Sequence, residues 1–273
     1  MKEKKQRNAT EEKIRRLFNK GCVDYGLLAE GDRILVALSG GKDSLELLRL
    51  LSVRARIWKP RITVEAAHVV MDNIPYETER TYLHDFCGNL GVKLHILHGR
   101  FDESTDPRKT RCFLCAWNRR KLLFEFASHE GFNKIALGHH MDDILTTMLM
   151  NLTFEGSFST MPPLLRLEHY PLILIRPLCL VHEHLIRTVA EELGFQKQKT
   201  LCPYEEASKR APMNHLLHEL ERLNPEARFN LWHAMENIKP GLLPQANPHA
   251  PAPQSSDPPL QDASSSDPSL KLV

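Results

Sequence analysis

Short apolar segments alternate with longer segments of helical periodicity along the chain. In the longer segments, hydrophobic residues recur at intervals of three and four, as Leu47, Leu48 and Leu51 do, which is typical of amphipathic helices. The apolar segments are mostly non-alternating, as strands are when helices cover both faces of a sheet. We predict strands at 34–38, 64–71, 92–97, 134–138 and 172–175. The pattern therefore predicts an α/β fold with a parallel sheet of about five strands and helices on both faces.

Composition divides the chain into four segments. From residue 244 onward there are seven Pro, six Ser and no aromatic residue, and such a segment cannot bury enough apolar surface to fold. We predict a basic N-terminal helix in 1–26, an α/β domain in 27–195, a C-terminal helical segment in 196–243 and a disordered tail in 244–273.

Several classes of protein are excluded by composition. Hydrophobic residues make up 42% and charged residues 26% of the 273 residues, as in ordinary globular chains. No apolar stretch approaches the roughly 18 residues of a membrane-spanning helix, and no apolar core of a secretory signal follows the charged N-terminus. Six cysteines in a chain of this length do not suggest a secreted disulfide framework. We therefore expect a cytoplasmic, reducing location and no membrane contact.

The net charge of +2 is unevenly distributed. Residues 1–20 contain eight Lys or Arg and three Glu, and residues 108–121 contain six Lys or Arg and no acid. Clusters of this kind are either solvated helix faces or contacts for a polyanion such as nucleic acid.

The first candidate motif is Ser39-Gly40-Gly41-Lys42-Asp43-Ser44, between a predicted strand and a predicted helix. Glycines allow close backbone approach, and a helix N-terminus offers unpaired N–H groups to an oxyanion. The glycine spacing excludes both a Walker A loop and a dinucleotide fingerprint. Two glycines alone would equally suit a tight strand-to-helix connection.

A second motif follows the fourth predicted strand and runs from Gly138 to Asp143. Gly138 allows a nucleotide to approach closely. Asp142 and Asp143 suit Mg²⁺, or one of them caps the following helix. Of His139 and His140, one could move a proton, and at least one is expected to be structural.

Cysteines form the third candidate group. Cys112 and Cys115 form a C-x-x-C beside several arginines, which suits a redox pair, half of a zinc site or two core thiols. Cys202, among lysines beyond the last predicted core helix, is a candidate third thiolate, because three thiolates can hold a [4Fe-4S] cluster with one open iron. The remaining cysteines are expected to be core residues: Cys22, Cys87 and Cys179.

These motifs together carry a family resemblance. The hexapeptide 39–44 resembles the pyrophosphate loop of the PP-loop ATP pyrophosphatases, which have an adenine nucleotide alpha hydrolase-like fold and transfer AMP to a substrate oxygen. With the cysteine pair, the 138–143 motif, Met161-Pro162-Pro163 and Ile175-Arg176-Pro177-Leu178, the chain resembles the tRNA 2-thiocytidine synthetases. The segment at Cys202-Pro203-Tyr204 is closer to the sister family of 2-thiouridine synthetases.

The resemblance implies ATP-dependent thiolation of tRNA: adenylation of the C2 oxygen of a pyrimidine, expected to be an anticodon-loop cytidine, followed by replacement with sulfur. It implies a [4Fe-4S] cluster on Cys112, Cys115 and Cys202, with Mg²⁺ and ATP. The sulfur donor is either a cysteine desulfurase or free sulfide, and a homodimer is left open. The implied catalytic residues are Asp43, Arg119, Asp142 and Asp143. The implied ATP-binding residues are Leu38, Ser39, Gly40, Gly41, Asp43, Ser44, Val69, Val70, Gly138 and His139.

Two alternatives remain open on the sequence. Another PP-loop adenylating enzyme, such as a lysidine synthetase or an amide-forming ligase, would not need the cysteines. A zinc-containing RNA-binding module would contain zinc and release no AMP.

Overall fold

The computed structural model describes residues 2–57, 59–74, 80–101, 111–196 and 210–244, with side chains from residue 9 onward. The predicted tail therefore lies outside the described residues, apart from its first residue. The four-segment division of the chain stays a prediction.

Helices and strands alternate as the apolar pattern predicts. The helices are α1 (Lys2–Asp24), α2 (Lys42–Ala55), α3 (Arg80–Leu90), α4 (Arg111–His129), α5 (Met141–Met150), α6 (Glu183–Glu192), α7 (Arg210–Leu223) and α8 (Ala227–Glu236). The strands are β1 (Asp32–Ala37), β2 (Ile62–Met71), β3 (Leu94–Gly99), β4 (Lys134–Ala136), β5 (Leu164–Arg166) and β6 (Ile173–Ile175).

The strands form one sheet in the order β3-β2-β1-β4-β6-β5. Five of them are parallel, and β5 pairs antiparallel with β6 at the edge. The predicted parallel α/β fold is confirmed, and the short edge strand β5 was not among the predicted strands. Strand order reverses direction between β1 and β4, so the loops after these strands flank a topological switch point, where ligands bind in such sheets.

Helices cover both faces of the sheet. On one face, buried residues of α1, α2, α3 and α6 pack against β1, among them Ile14, Phe18 and Leu48. On the other face, Phe124 of α4 packs against Leu35 of β1. The basic first helix is thus amphipathic and part of the main core. No helix in the described ranges is long and apolar enough to cross a membrane.

The C-terminal helices pack on α5. Leu217 of α7 and Trp232 of α8 join Ile144 and Met148 of α5 in a separate apolar cluster. Thr146 of α5 donates a hydrogen bond to the side-chain oxygen of Asn214 at 2.5 Å. Because α5 begins at the carboxyl edge of the sheet, this packing brings α7 and α8 next to the switch point.

Candidate functional site

The loop between β1 and α2 has a fixed, tight conformation. Gly40 has a φ of +90°, which side chains disfavour, and Gly41 is the N-cap of α2. Ser44 Oγ accepts the Gly40 N–H at 3.2 Å and donates to the Gly41 carbonyl at 2.9 Å. The first N–H groups of α2 carry the positive end of the helix dipole and lack intrahelical acceptors. The loop therefore suits an oxyanion, as the motif predicts.

Gly138, which follows β4, touches the first turn of α2. A Cβ at this position would lie 3.0 Å from the Ser44 nitrogen and 3.2 Å from the Asp43 carbonyl carbon. Because these neighbours are backbone atoms, a side chain would displace the turn. Two loops that the sequence predicts separately are thus in direct contact.

A histidine caps the helix that follows Gly138. The His140 side chain accepts the Asp143 N–H at 3.4 Å, and Asp143 Oδ2 accepts the His140 N–H at 3.2 Å, which forms a capping box. The other oxygen of Asp143 lies 3.8 Å from Arg210 Nη1. The N-cap is therefore His140, and Asp143 is its reciprocal partner.

Both carboxylate oxygens of Asp142 have partners. Oδ1 accepts a hydrogen bond from Arg228 Nη1 of α8, and Oδ2 accepts the Glu183 N–H of α6 at 2.9 Å. Asp142 thus connects three helices. Its expected role as a metal ligand or catalytic group stays a prediction. The two hydrogen bonds argue against that role, because they occupy both carboxylate oxygens.

Asp43 has one oxygen without a hydrogen bond. Its Oδ2 accepts from Lys42 Nζ at 3.0 Å, while its Oδ1 is buried and accepts no hydrogen bond from the described residues. Lys42 Nζ also contacts Glu183 Oε1 at 3.1 Å. Leaving a buried carboxylate oxygen unsatisfied is costly, so the position favours a ligand such as a hard cation.

These side chains surround one cavity of about 210 Å³, whose outer wall is formed by α7 and α8. The lining residues are Lys42, Asp43, His140, Asp142, Asp143, Glu183, Asn214, Leu217, His218 and Arg228. Asp43, Asp142 and Asp143, predicted from two motifs, therefore face the same space.

His68 and Arg119 connect the phosphate loop with the cysteine pair. The buried His68 donates from Nδ1 to the Leu38 carbonyl at 2.7 Å. Arg119 Nη1 donates to the Val69 carbonyl at 3.2 Å, and Arg119 Nε lies 3.4 Å from Cys115 Sγ. Arg119 thus joins the end of β2, which contains the predicted ATP-binding residues Val69 and Val70, to a predicted thiolate.

Cys112 lies in the first turn of α4 and Cys115 at the start of the second, three residues apart and on one side of the helix. Cys112 is exposed and Cys115 is half-buried. Cys202 lies within 197–209, outside the described residues. Among the residues that are described, no three His, Cys, Asp or Glu side chains gather as a metal site. Two of the three expected cluster ligands thus lie in the described part of the chain, and their role as ligands stays a prediction.

The other three described cysteines are core residues, as predicted. Cys22, Cys87 and Cys179 are 7%, 1% and 0% exposed. Burial raises the pKa of their thiols to about 12, 11 and 12. They are therefore protonated at neutral pH and unsuited as thiolate ligands.

His139 has a structural role. Its Nδ1 accepts from Arg176 Nε at 3.4 Å, while Arg176 Nη1 donates to the Pro162 carbonyl at 2.6 Å. Desolvation and the Arg176 charge lower the pKa of His139 to about 3. The ring is therefore neutral at pH 7 and does not act as an imidazolium acid. The Arg176 contacts bring the predicted 161–163 and 175–178 motifs together.

His68 should make the protein less stable in acid. Its burial, followed by the charges of Arg119 and Arg80, lowers its pKa from 6.5. Because the unfolded chain then binds the proton more tightly, the free energy of unfolding should fall as pH drops below about 6.5. His68→Asn keeps a donor for the Leu38 carbonyl and should flatten this decrease, measured by urea unfolding between pH 7 and 4. An unchanged slope would show that His68 does not titrate with unfolding.

Sequence reasoning missed five residues of the cavity, all outside the two motifs: Glu183, Asn214, Leu217, His218 and Arg228. Arg228 is 86 positions from its partner Asp142 along the chain, so no local spacing could indicate the pair. One signal was present: Arg228 lies four residues before Trp232, on the apolar side of α8. A charged residue on such a face is expected to have a buried partner.

Known proteins resemble this chain over most of its length. The PP-loop domain family matches residues 6–200. A tRNA-cytidine(32) 2-sulfurtransferase of Legionella pneumophila is 34% identical over 245 residues, which cover 88% of this chain and 86% of the relative. A protein of the same name from Methylococcus capsulatus is 35% identical over 247 residues, covering 89% and 85% of the two chains.

A solved structure has the same fold. The U34-tRNA thiolase NcsA from Methanococcus maripaludis, solved with its [4Fe-4S] cluster, superposes with a TM-score of 0.69 at 24% identity. The match covers 85% of this chain and 81% of that one. The family match and the identity to curated relatives go further than fold: this chain belongs to the PP-loop family and, within it, to the tRNA-cytidine(32) 2-sulfurtransferases.

Proposed function

We propose that this protein uses ATP to replace the C2 oxygen of cytidine 32 of tRNA with sulfur. The observation that carries the proposal is the contact of Arg119 with both Cys115 Sγ and the Val69 carbonyl. Through this contact, Arg119 links Cys115, a residue suited to sulfur chemistry, to the end of β2 beside the phosphate loop. The relatives named above are tRNA-cytidine(32) 2-sulfurtransferases, which supports the same reaction.

ATP binds along the carboxyl edge of β1, β2 and β4 in this proposal. Adenine lies near Val69 and Val70, and the phosphates lie against the loop at 38–44. Gly138 and His139 form the opposite wall of this site. The exposed N–H groups of α2 bind phosphate oxygens through hydrogen bonds and the helix dipole.

Two balanced steps make up the reaction. The cytidine C2 oxygen attacks the α-phosphorus of ATP, the bond to the β-phosphate breaks, and pyrophosphate leaves. A sulfide equivalent then adds to C2, the C2–O bond breaks, and AMP leaves. Arg119 is suited to compensate negative charge that develops at the activated oxygen.

The cysteine pair fits an iron–sulfur cluster. Both thiols lie within the first two turns of α4, and Arg119 Nε lies 3.4 Å from Cys115 Sγ, an arrangement that compensates thiolate charge. Cys112, Cys115 and Cys202 would hold the cluster. When bound on three thiolates, it supplies one iron with an open position for an exogenous sulfide.

Mg²⁺ fits the phosphate cavity. Asp43 Oδ1 is a hard, buried oxygen that accepts no hydrogen bond from the described residues and lies 3.8 Å from His140 Nε2, and Asp143 lines the same cavity. Asp43 and Asp143 would therefore hold Mg²⁺, which shields the charge of ATP phosphates. Asp142 is less suited, because both of its oxygens accept hydrogen bonds, whereas Asp143 Oδ1 only lies 3.8 Å from Arg210 Nη1.

tRNA binding is assigned to basic surfaces. The exposed face of α1 presents Lys13, Arg15, Arg16 and Lys20. Such contacts release counterions, so tRNA affinity should fall steeply with salt. A loop base is an accessible target, because unstacked bases can enter a pocket. The sulfur is provided by a cysteine desulfurase or as free sulfide.

Mass spectrometry of tRNA nucleosides tests the proposal. We expect 2-thiocytidine in cells that have the protein and none in a deletion strain, with restoration by the full chain. Anaerobically purified protein should contain about four irons per chain. Stoichiometric zinc without AMP release, or unchanged 2-thiocytidine in the deletion strain, would contradict it.

A further inference from the structure

Arg228 is a buried cation in the wall of the phosphate cavity. It is 5% exposed, and all three of its guanidinium nitrogens have partners. Nη1 donates to Asp142 Oδ1, Nη2 donates to His218 Nδ1 at 3.1 Å, and Nε lies 3.1 Å from Glu221 Oε1. A planar guanidinium can make these three contacts at once, whereas a lysine ammonium has a different geometry.

The cavity has an unfavourable charge for a triphosphate. Its lining contains four carboxylates and two permanent cations. The cations are Lys42 and Arg228. Each cation therefore offsets an appreciable part of the repulsion that ATP would experience.

Among the carboxylates of the cavity lining, Asp142 is the one that Arg228 contacts directly. Its side chain is 13% exposed, so its charge is poorly screened by water. Its other oxygen accepts the Glu183 N–H, and the Glu183 carboxylate contacts Lys42 at 3.1 Å. The orientation of Asp142 thus also affects the lysine of the phosphate loop.

We propose that Arg228 is a positioning residue of the ATP site, which neutralises and orients Asp142 so that the cavity accepts the polyphosphate of ATP. The inference rests on the proposed function, because it assigns this cavity to the phosphates. Through Arg228, helix α8 becomes part of the nucleotide site rather than an appended segment.

Direct ATP binding to the full chain, without tRNA, tests the inference. Arg228→Gln leaves Asp142 charged and without its guanidinium partner beside the phosphates, so Mg²⁺-ATP should bind about 10- to 50-fold more weakly in equilibrium titration. The same substitution in an Asp142→Asn background should weaken binding by less than about threefold, since the repelling charge is absent. This difference between backgrounds is not expected of a residue that only stabilises the fold.

Tyr25→Phe provides a matched control for α8 docking. The Tyr25 hydroxyl accepts from Trp232 Nε1 at 2.8 Å and donates to Glu236 at 2.5 Å, outside the cavity lining. This variant should loosen α8 yet keep ATP affinity within about twofold. Equal losses for Arg228→Gln in both backgrounds, or an equal loss in Tyr25→Phe, would overturn the inference. If the ATP affinities of these variants follow the expected pattern but the protein forms no 2-thiocytidine, only the proposed function is refuted.

Discussion

Cys112→Ala and Cys115→Ala should each abolish thiolation, reducing 2-thiocytidine formation by roughly a hundredfold or more, because each would remove one of the three proposed cluster ligands. The anaerobically purified variants should also lose the broad visible absorption of a thiolate-ligated cluster and most of their iron. ATP binding should persist, since the phosphate loop is formed by β1 and α2. Cys202→Ala is expected to behave in the same way.

Cys87→Ala is the matched control. The Cys87 thiol is 1% exposed, and burial raises its pKa to about 11, so it is not a ligand at neutral pH. Its removal should cost about 1 kcal/mol of unfolding free energy through a small void, with iron content unchanged. Equal iron loss in Cys87→Ala, or full iron and activity in Cys115→Ala, would refute the ligand assignment.

Gly138→Ala should reduce adenylation by about a hundredfold, because displacements near 1 Å at a reacting site have effects of this size. The added Cβ would lie 3.0 Å from the Ser44 nitrogen, and a backbone atom cannot rotate away. The first turn of α2 must then shift, and the N–H groups that we propose bind phosphate would move with it. Pyrophosphate release in the presence of tRNA measures the effect.

Gly88→Ala is a suitable comparison for that variant. Gly88 lies on the exposed side of α3, and a Cβ there meets nothing within 4 Å. It should raise the free energy of unfolding by about 0.5–1 kcal/mol through helix propensity and leave adenylation unchanged. If Gly138→Ala retained full activity, the contact between the two loops would be irrelevant to catalysis.

The phosphate loop could be predicted because its information is local. Six consecutive residues specify the turn, and the flanking strand and helix follow from their own apolar periodicity. The core thiols were predictable for the same reason, since Cys87 lies on the apolar stripe of its own helix. The identity of the α5 N-cap could not be predicted in this way. His140, Asp142 and Asp143 lie close together and each has a side-chain acceptor, so the sequence does not distinguish which of them caps the helix.

By itself, the sequence determined the fold class, the phosphate loop and the cysteine pair, because each depends on residues close together in the chain. Three contacts were decided by the tertiary structure alone. Gly138 packs against the first turn of α2, Arg119 contacts both Cys115 and β2, and Arg228 forms an ion pair with Asp142. These contacts join residues far apart in sequence, and their spacing is set by how helices pack on the sheet. Side-chain periodicity reports which face of an element is buried, but not which distant residue meets it there.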